Sequence, residues 1–121
     1  MNTLLSRTWV LLILIASLAT NHLCAQSTSE HRIALHITGF TSDERDGLSR
    51  ELAKNGSARI AFACVPAGII ILEPLQQDLN IDSLRLRAMP GLLRSVAPSR
   101  ISEDHITMER AEELCSNQRE K

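Results

Sequence analysis

Few side chains in this 121-residue sequence are suited to metal or redox chemistry: the cysteines are Cys24, Cys64 and Cys115, and beyond residue 25 the histidines are His31, His36 and His105. A cysteine pair offers three kinds of chemistry. As thiolates it binds a soft ion such as Cu(I) or Hg(II), as a reversible dithiol it exchanges electrons, and as a structural disulfide it staples a fold in an oxidising compartment. Cys64 and Cys115 lie far apart in the chain. That favours a staple over the close pair of a Cys-x-x-Cys redox motif. Closing a loop of about 50 residues is worth on the order of 4 kcal/mol in chain entropy, a large share of a small domain's stability. The soft-metal pair and the thiol redox pair stay open as alternatives. His36, His105 and Asp104 are a further set of possible ligands, but they lack the short histidine spacing of zinc sites and read as polar residues of a partly solvated sheet. No Gly-x-Ser-x-Gly turn, phosphate-cradling glycine loop or acid–base pair is visible, so no catalytic residue is assigned and no enzyme is expected.

The stretch that organises the chain is Ile33 to Glu73, which reads as strand, helix, strand, tight turn and strand. Its first strand-to-helix turn is Gly39-Phe40-Thr41-Ser42-Asp43-Glu44-Arg45. This turn resembles the metal-binding loop of the heavy-metal-associated domain family, the small copper chaperones and periplasmic mercury-binding proteins, whose loop runs Gly-Met-Thr-Cys-x-x-Cys. Gly39, Phe40 and Thr41 stand where Gly, Met and Thr would be, while Ser42 and Arg45 occupy both cysteine positions. The resemblance covers about Ile33 to Ile106 and implies a ferredoxin-like βαββαβ fold. Metal delivery does not carry over, because a hydroxyl and a guanidinium replace the two thiolates, and Arg45 adds a positive charge to the loop. Helix-start chemistry explains the loop without metal: Thr41 followed three residues later by Glu44 forms a capping box, and Asp43, Glu44 and Asp46 suit the positive end of a helix.

Residues 1–25 have the form of a cleavable secretory signal, with Arg7 in a polar start, an apolar run from Trp9 to Ala19, and Leu23-Cys24-Ala25 before Gln26. The apolar run is shorter than the roughly 20 residues a membrane span needs. Acylation at Cys24 is the other processing route, but Leu23 replaces the small residue that route usually wants. Cleavage after Ala25 leaves 96 of the 121 residues, sized for one domain. Removing Arg7 from 13 basic residues leaves 12 against 14 acidic ones, a net charge of −2. Basic and acidic residues are interspersed, and Phe40 and Phe62 are the only aromatics of that piece, so no nucleic-acid platform is expected.

The pattern then predicts strand Arg32–Thr38, with Ile33, Leu35 and Ile37 on one face. Helix Ser42–Lys54 follows, with Leu48, Leu52 and Ala53 as its apolar stripe and Asn55-Gly56 as its stop. Asn55-Gly56-Ser57 also matches the N-glycosylation sequon. Strand Ala58–Val65 places Ile60, Phe62 and Cys64 on one face, Pro66-Ala67-Gly68 turns the chain, and strand Ile69–Glu73 is apolar on both faces. A helix beginning at Asp82 as its cap has Leu84, Leu86, Leu92, Leu93 and Val96 as core candidates and should break or kink at Pro90-Gly91. Arg100–Ile106 is a weak fourth strand whose Glu103 and Asp104 suit a sheet edge. A final helix, Met108–Asn117, follows Thr107 as its cap.

A strand apolar on both faces requires cover on both. The expected architecture is therefore α+β: a four-stranded antiparallel sheet with two helices on one face, and the C-terminal helix pinned to the other by Cys64–Cys115. The expected role is that of a small secreted or periplasmic non-enzymatic domain, without cofactor, nucleic acid or membrane span, acting through contacts with an unidentified protein partner.

Overall fold

The structure, a computed structural model, describes residues 31–56 and 58–121. The expected signal segment, Cys24 and the sequon residue Ser57 lie outside the described residues. The elements run β1 (Ile33–Ile37), α1 (Ser42–Asn55), β2 (Ala58–Cys64), β3 (Ile69–Pro74), α2 (Ile81–Ser95), a 3-10 turn (Pro98–Arg100), β4 (Ile101–Asp104) and α3 (Met108–Arg119). Among the described residues the architecture is α+β: three α-helices around one four-stranded antiparallel sheet of order β2-β3-β1-β4.

Residues Ile69 to Leu72 of β3 are all buried, and alternation along the strand sends them into two separate cores. Ile70 and Leu72 join Ile33, Leu35 and Ile37 of β1, Leu48 and Leu52 of α1, and Leu84, Ala88 and Leu92 of α2. Ile69 and Ile71 join Ala34 and, from α3, the fully buried Ala111, with Phe62, Met108 and Leu114 at the margin. Both faces of the sheet are thus covered, and α3 covers the second, as the two-sided strand requires.

β2 departs from simple alternation. Ile60 pairs with Leu72 and Phe62 with Ile71, leaving Ala61 as the extra residue of a β-bulge. One inserted residue reverses the facing of everything beyond it. Ile60 therefore packs into the α1/α2 core while Phe62 packs toward α3, and the expectation that Ile60, Phe62 and Cys64 share a face does not hold. The reversal matters for Cys64, which an unbulged strand would have turned to the same side as Ile60, away from α3.

α1 starts and stops as the sequence dictates: Thr41 and Glu44 complete the capping box, and Gly56 ends the helix in the left-handed conformation (φ 61°). Ala53 is exposed and adds nothing to the buried pair Leu48 and Leu52. α2 differs more. Its cap is Asn80, whose side chain accepts from the Ser83 backbone N–H at 2.8 Å, rather than Asp82. The helix continues through Pro90-Gly91 without ending. Pro90 denies a donor to the carbonyl of Leu86, and Leu86 is 77% exposed, so water can take that acceptor. Gly91 is buried against α1, where an added Cβ would lie 3.4 Å from the Glu51 Cβ. Leu86 and Leu93 face solvent rather than the core.

The Pro66-Ala67-Gly68 turn is fixed by a close approach. Gly68 has φ +67°, and a Cβ there would fall 2.5 Å from the Ile37 carbonyl oxygen, while the Gly68 carbonyl accepts from Ile37 N–H at 2.7 Å. Gly68→Ala combines a left-handed backbone with a backbone clash, and should destabilise the domain by about 3 kcal/mol or more. Urea unfolding of the variant against the parent checks this.

Candidate functional site

The candidate site is the β1–α1 turn, built where the end of β1 meets the start of α1. Gly39 adopts φ +66°, Phe40 turns inward and is buried with the α1/α2 core, and Thr41 caps the helix. The Thr41 Oγ1 accepts from Glu44 N–H at 3.2 Å, and Glu44 Oε2 accepts from Thr41 N–H at 3.0 Å. Ser42 is exposed at the first helical position. Arg45 turns aside, its Nε donating to Asp46 Oδ1 at 2.9 Å.

The cation at the turn is another residue, Arg100. Pairing of Ile37 with Ile101 sets Arg100 opposite Thr38, and Thr38 N–H donates to the Arg100 carbonyl at 2.9 Å. From there the guanidinium reaches back over the turn. Nε donates to the Thr38 carbonyl at 2.8 Å and Nη2 to the Gly39 carbonyl at 2.8 Å. Nη1 and Nη2 donate to the two Glu44 carboxylate oxygens at 2.6 and 3.0 Å. Such a planar fork suits bidentate pairing with a carboxylate. The oxygens of the turn that would attract a cation already hold one, and the turn carries no soft donor.

The Arg100 hydrogen bond, assisted by Thr41, holds the Glu44 carboxyl below its ordinary value of 4.5, and Glu44 in turn raises the Arg100 pKa. Two other carboxylates are lowered by neighbouring cations: Glu51 by Lys54 and then Arg94, and Glu103 by Arg85. Arg85 grips both Glu103 oxygens, at 2.6 and 3.1 Å, and Asp82 at 2.7 Å, which ties α2 to β4.

The remaining sequence-identified residues lie elsewhere. Cys64 and Cys115 are joined by a disulfide, with Cα atoms 5.9 Å apart, inside the 7 Å limit that such a bond allows. Both are buried. Cys64 pairs with Ile69, a residue of the α3-side core, so the bond anchors α3 to the sheet. His36 packs over Gly68. His105 is exposed, and its backbone N–H donates to the Asp104 side chain at 2.8 Å. Among the described residues no three His, Cys, Asp or Glu side chains are grouped to hold a metal ion, and no helix is long and apolar enough to cross a membrane. Compared with known protein families, curated proteins and solved structures, the chain matches none.

Arg100 is the residue that sequence reasoning missed. Its only sequence signal is its position immediately before a strand that pairs with β1, and that is readable only once the register of β4 is known.

Two predictions follow from this chemistry. A carboxylate with a depressed folded pKa contributes stability that is complete above its unfolded pKa and is lost as pH falls through the folded value. Glu44→Gln should therefore flatten the acid limb of stability below about pH 4.5, and Arg100→Met should do the same without adding to Glu44→Gln in the double variant; urea midpoints from about pH 6 to pH 2 test it. Cys115→Ser should cost about 4 kcal/mol at any pH, read from denaturant unfolding under non-reducing conditions.

Proposed function

We propose that the chain yields a small exported domain, secreted or periplasmic, that resembles a heavy-metal-associated domain without its metal ligands and works through protein contacts rather than catalysis. The observation that carries this is the Arg100 guanidinium seated on the Thr38 and Gly39 carbonyls and the Glu44 carboxylate. A turn that delivers a cation has to release it. This turn holds a cation covalently tethered to the fold, so the loop serves as a rigid corner. A ferredoxin-like reading is supported by the βαββαβ succession, with β1 and β3 central and β2 and β4 at the edges. Export is supported by the signal-like residues 1–25 and by a buried disulfide, a bond that persists in oxidising compartments.

Cu(I) titration against a chromophoric chelator tests the reading, using the parent and the double substitution Ser42→Cys/Arg45→Cys. The oxidised parent should take up no stoichiometric Cu(I), and the variant, with the loop cysteines restored, about one equivalent. Uptake by the parent that disappears on Cys64→Ser would instead identify a carrier with relocated ligands. A variant that binds no metal would remove the loop resemblance.

A further inference from the structure

We infer that the outward face of α2 is the docking surface of this domain, and that it fits a protein partner presenting an apolar groove rimmed by carboxylates. The inference rests on the protein-contact reading above and adds to it the face and the chemistry of the partner. Leu86 and Leu93 are 77% and 44% exposed, and they share one side of α2 with the exposed Pro90. Their spacing of i, i+4 and i+7 forms a single stripe, the anchor pattern by which a helix seats in a groove. Leu84, Ala88 and Leu92 on the opposite side are buried, so α2 is apolar on both its inner and outer faces. A contiguous apolar stripe rimmed by polar residues has the form of an interaction site.

The charge around the stripe specifies the partner. From Leu84 to Arg100 the chain has four arginines and no acidic residue. Arg87 and Arg94 border the stripe on the side facing α1, where Arg94 bonds Glu51 at 3.0 Å. Glu51 is shared with Lys54, so one carboxylate serves two cations. Arg50 also reaches toward α2, with its guanidinium beside Gly47 near Ser95. Among the described residues no carboxylate forms an ion pair with Arg87 or Arg50. On α2 itself Arg85, Arg87 and Arg94 outweigh Asp82, a net charge of +2 beside the leucines, although the chain as a whole is acidic.

Other occupants fit less well. A second copy docking α2 on α2 would bring Arg87 and Arg94 against their own counterparts. A flat anionic bilayer would meet the outer side of the whole helix layer, including the exposed Asp43 and Asp46 of α1. A groove that admits one helix meets α2 alone.

The test places a photoreactive benzoylphenylalanine at Leu86 or Leu93, with Ser102 on β4 and Glu112 on α3 as comparison positions, in the full chain expressed in its native host. The expected result is one protein adduct formed from Leu86 and Leu93 but not from Ser102 or Glu112. Once identified and purified, that protein should bind the domain with an affinity that falls as salt rises and that drops about tenfold with Leu86→Ser or Arg87→Glu; both sites are exposed, and circular dichroism confirms that the variants fold. Protein adducts from Ser102 or Glu112 alone would overturn this face while sparing the protein-contact reading. Adducts only with lipid or with a second copy would overturn the partner assigned here, as would a purified partner that binds Arg87→Glu as tightly as the parent. No adduct at any position would overturn both.

Discussion

Four consecutive aliphatic residues in β3, Ile69 to Leu72, impose the constraint from which the rest of the structure follows. A strand cannot hide four neighbouring side chains on one side, since alternate residues point to opposite faces. The sheet must be covered twice. α1 and α2 supply one layer from a conventional pair of amphipathic helices. The other layer is α3 alone, twelve residues with Ala111 and Cys115 as its buried positions. A helix of that length is marginal in isolation, and so little buried surface holds it weakly. Losing the cover over Ile69 and Ile71 would forfeit roughly 1.5–3 kcal/mol for each, comparable to the about 4 kcal/mol that a disulfide of this span supplies. The covalent bond and the apolar face therefore stabilise the same contact, and the bulge at Ala61 lets both exist by turning Cys64 toward α3 while Ile60 stays in the other core.

The β1–α1 turn shows how a cluster of oxygens can be satisfied by a cation of the chain's own. Two backbone carbonyls and a capping carboxylate converge there, and a converging set of oxygens needs positive charge. Arg100 provides it from the neighbouring strand. Glu44 has two attachments: one oxygen closes the capping box while both oxygens hold the guanidinium. The cap of α1 and the attachment of β4 are consequently one network, so a change at either end is felt at the other. Arg45, which the loop pattern singles out, is pulled off the turn by Asp46.

The sequence carries the elements more clearly than their relations. The Thr41–Glu44 box, the Gly56 stop, the two-sided β3 and the Cys64–Cys115 pairing all leave local or compositional marks, and each is found in the structure. The bulge leaves none, because Ala61 is apolar like its neighbours Ile60 and Phe62 and counts as an ordinary strand residue until pairing with β3 is known. Pro90-Gly91 misleads for a different reason. Helix propensity predicts a break, but the tertiary contact between Gly91 and Glu51 rewards a continuous α2 and overrides the local preference. Arg100 was illegible because its importance depends on register across a 62-residue separation from Thr38.

The exposed leucines of α2 bear on the same distinction between local pattern and tertiary context. Counted by hydropathy alone, Leu84, Leu86, Leu92 and Leu93 form one apolar set, but the 100° step of a helix puts residues 86 and 93 on the side opposite Leu84, Ala88 and Leu92, which pack on the sheet. The excess is therefore not core material that failed to find a place. It stands on the far side, beside the exposed Arg87 and Arg94. Leu86, 77% exposed, gains little from the domain's own packing, whereas Leu93, 44% exposed, is more than half covered by it.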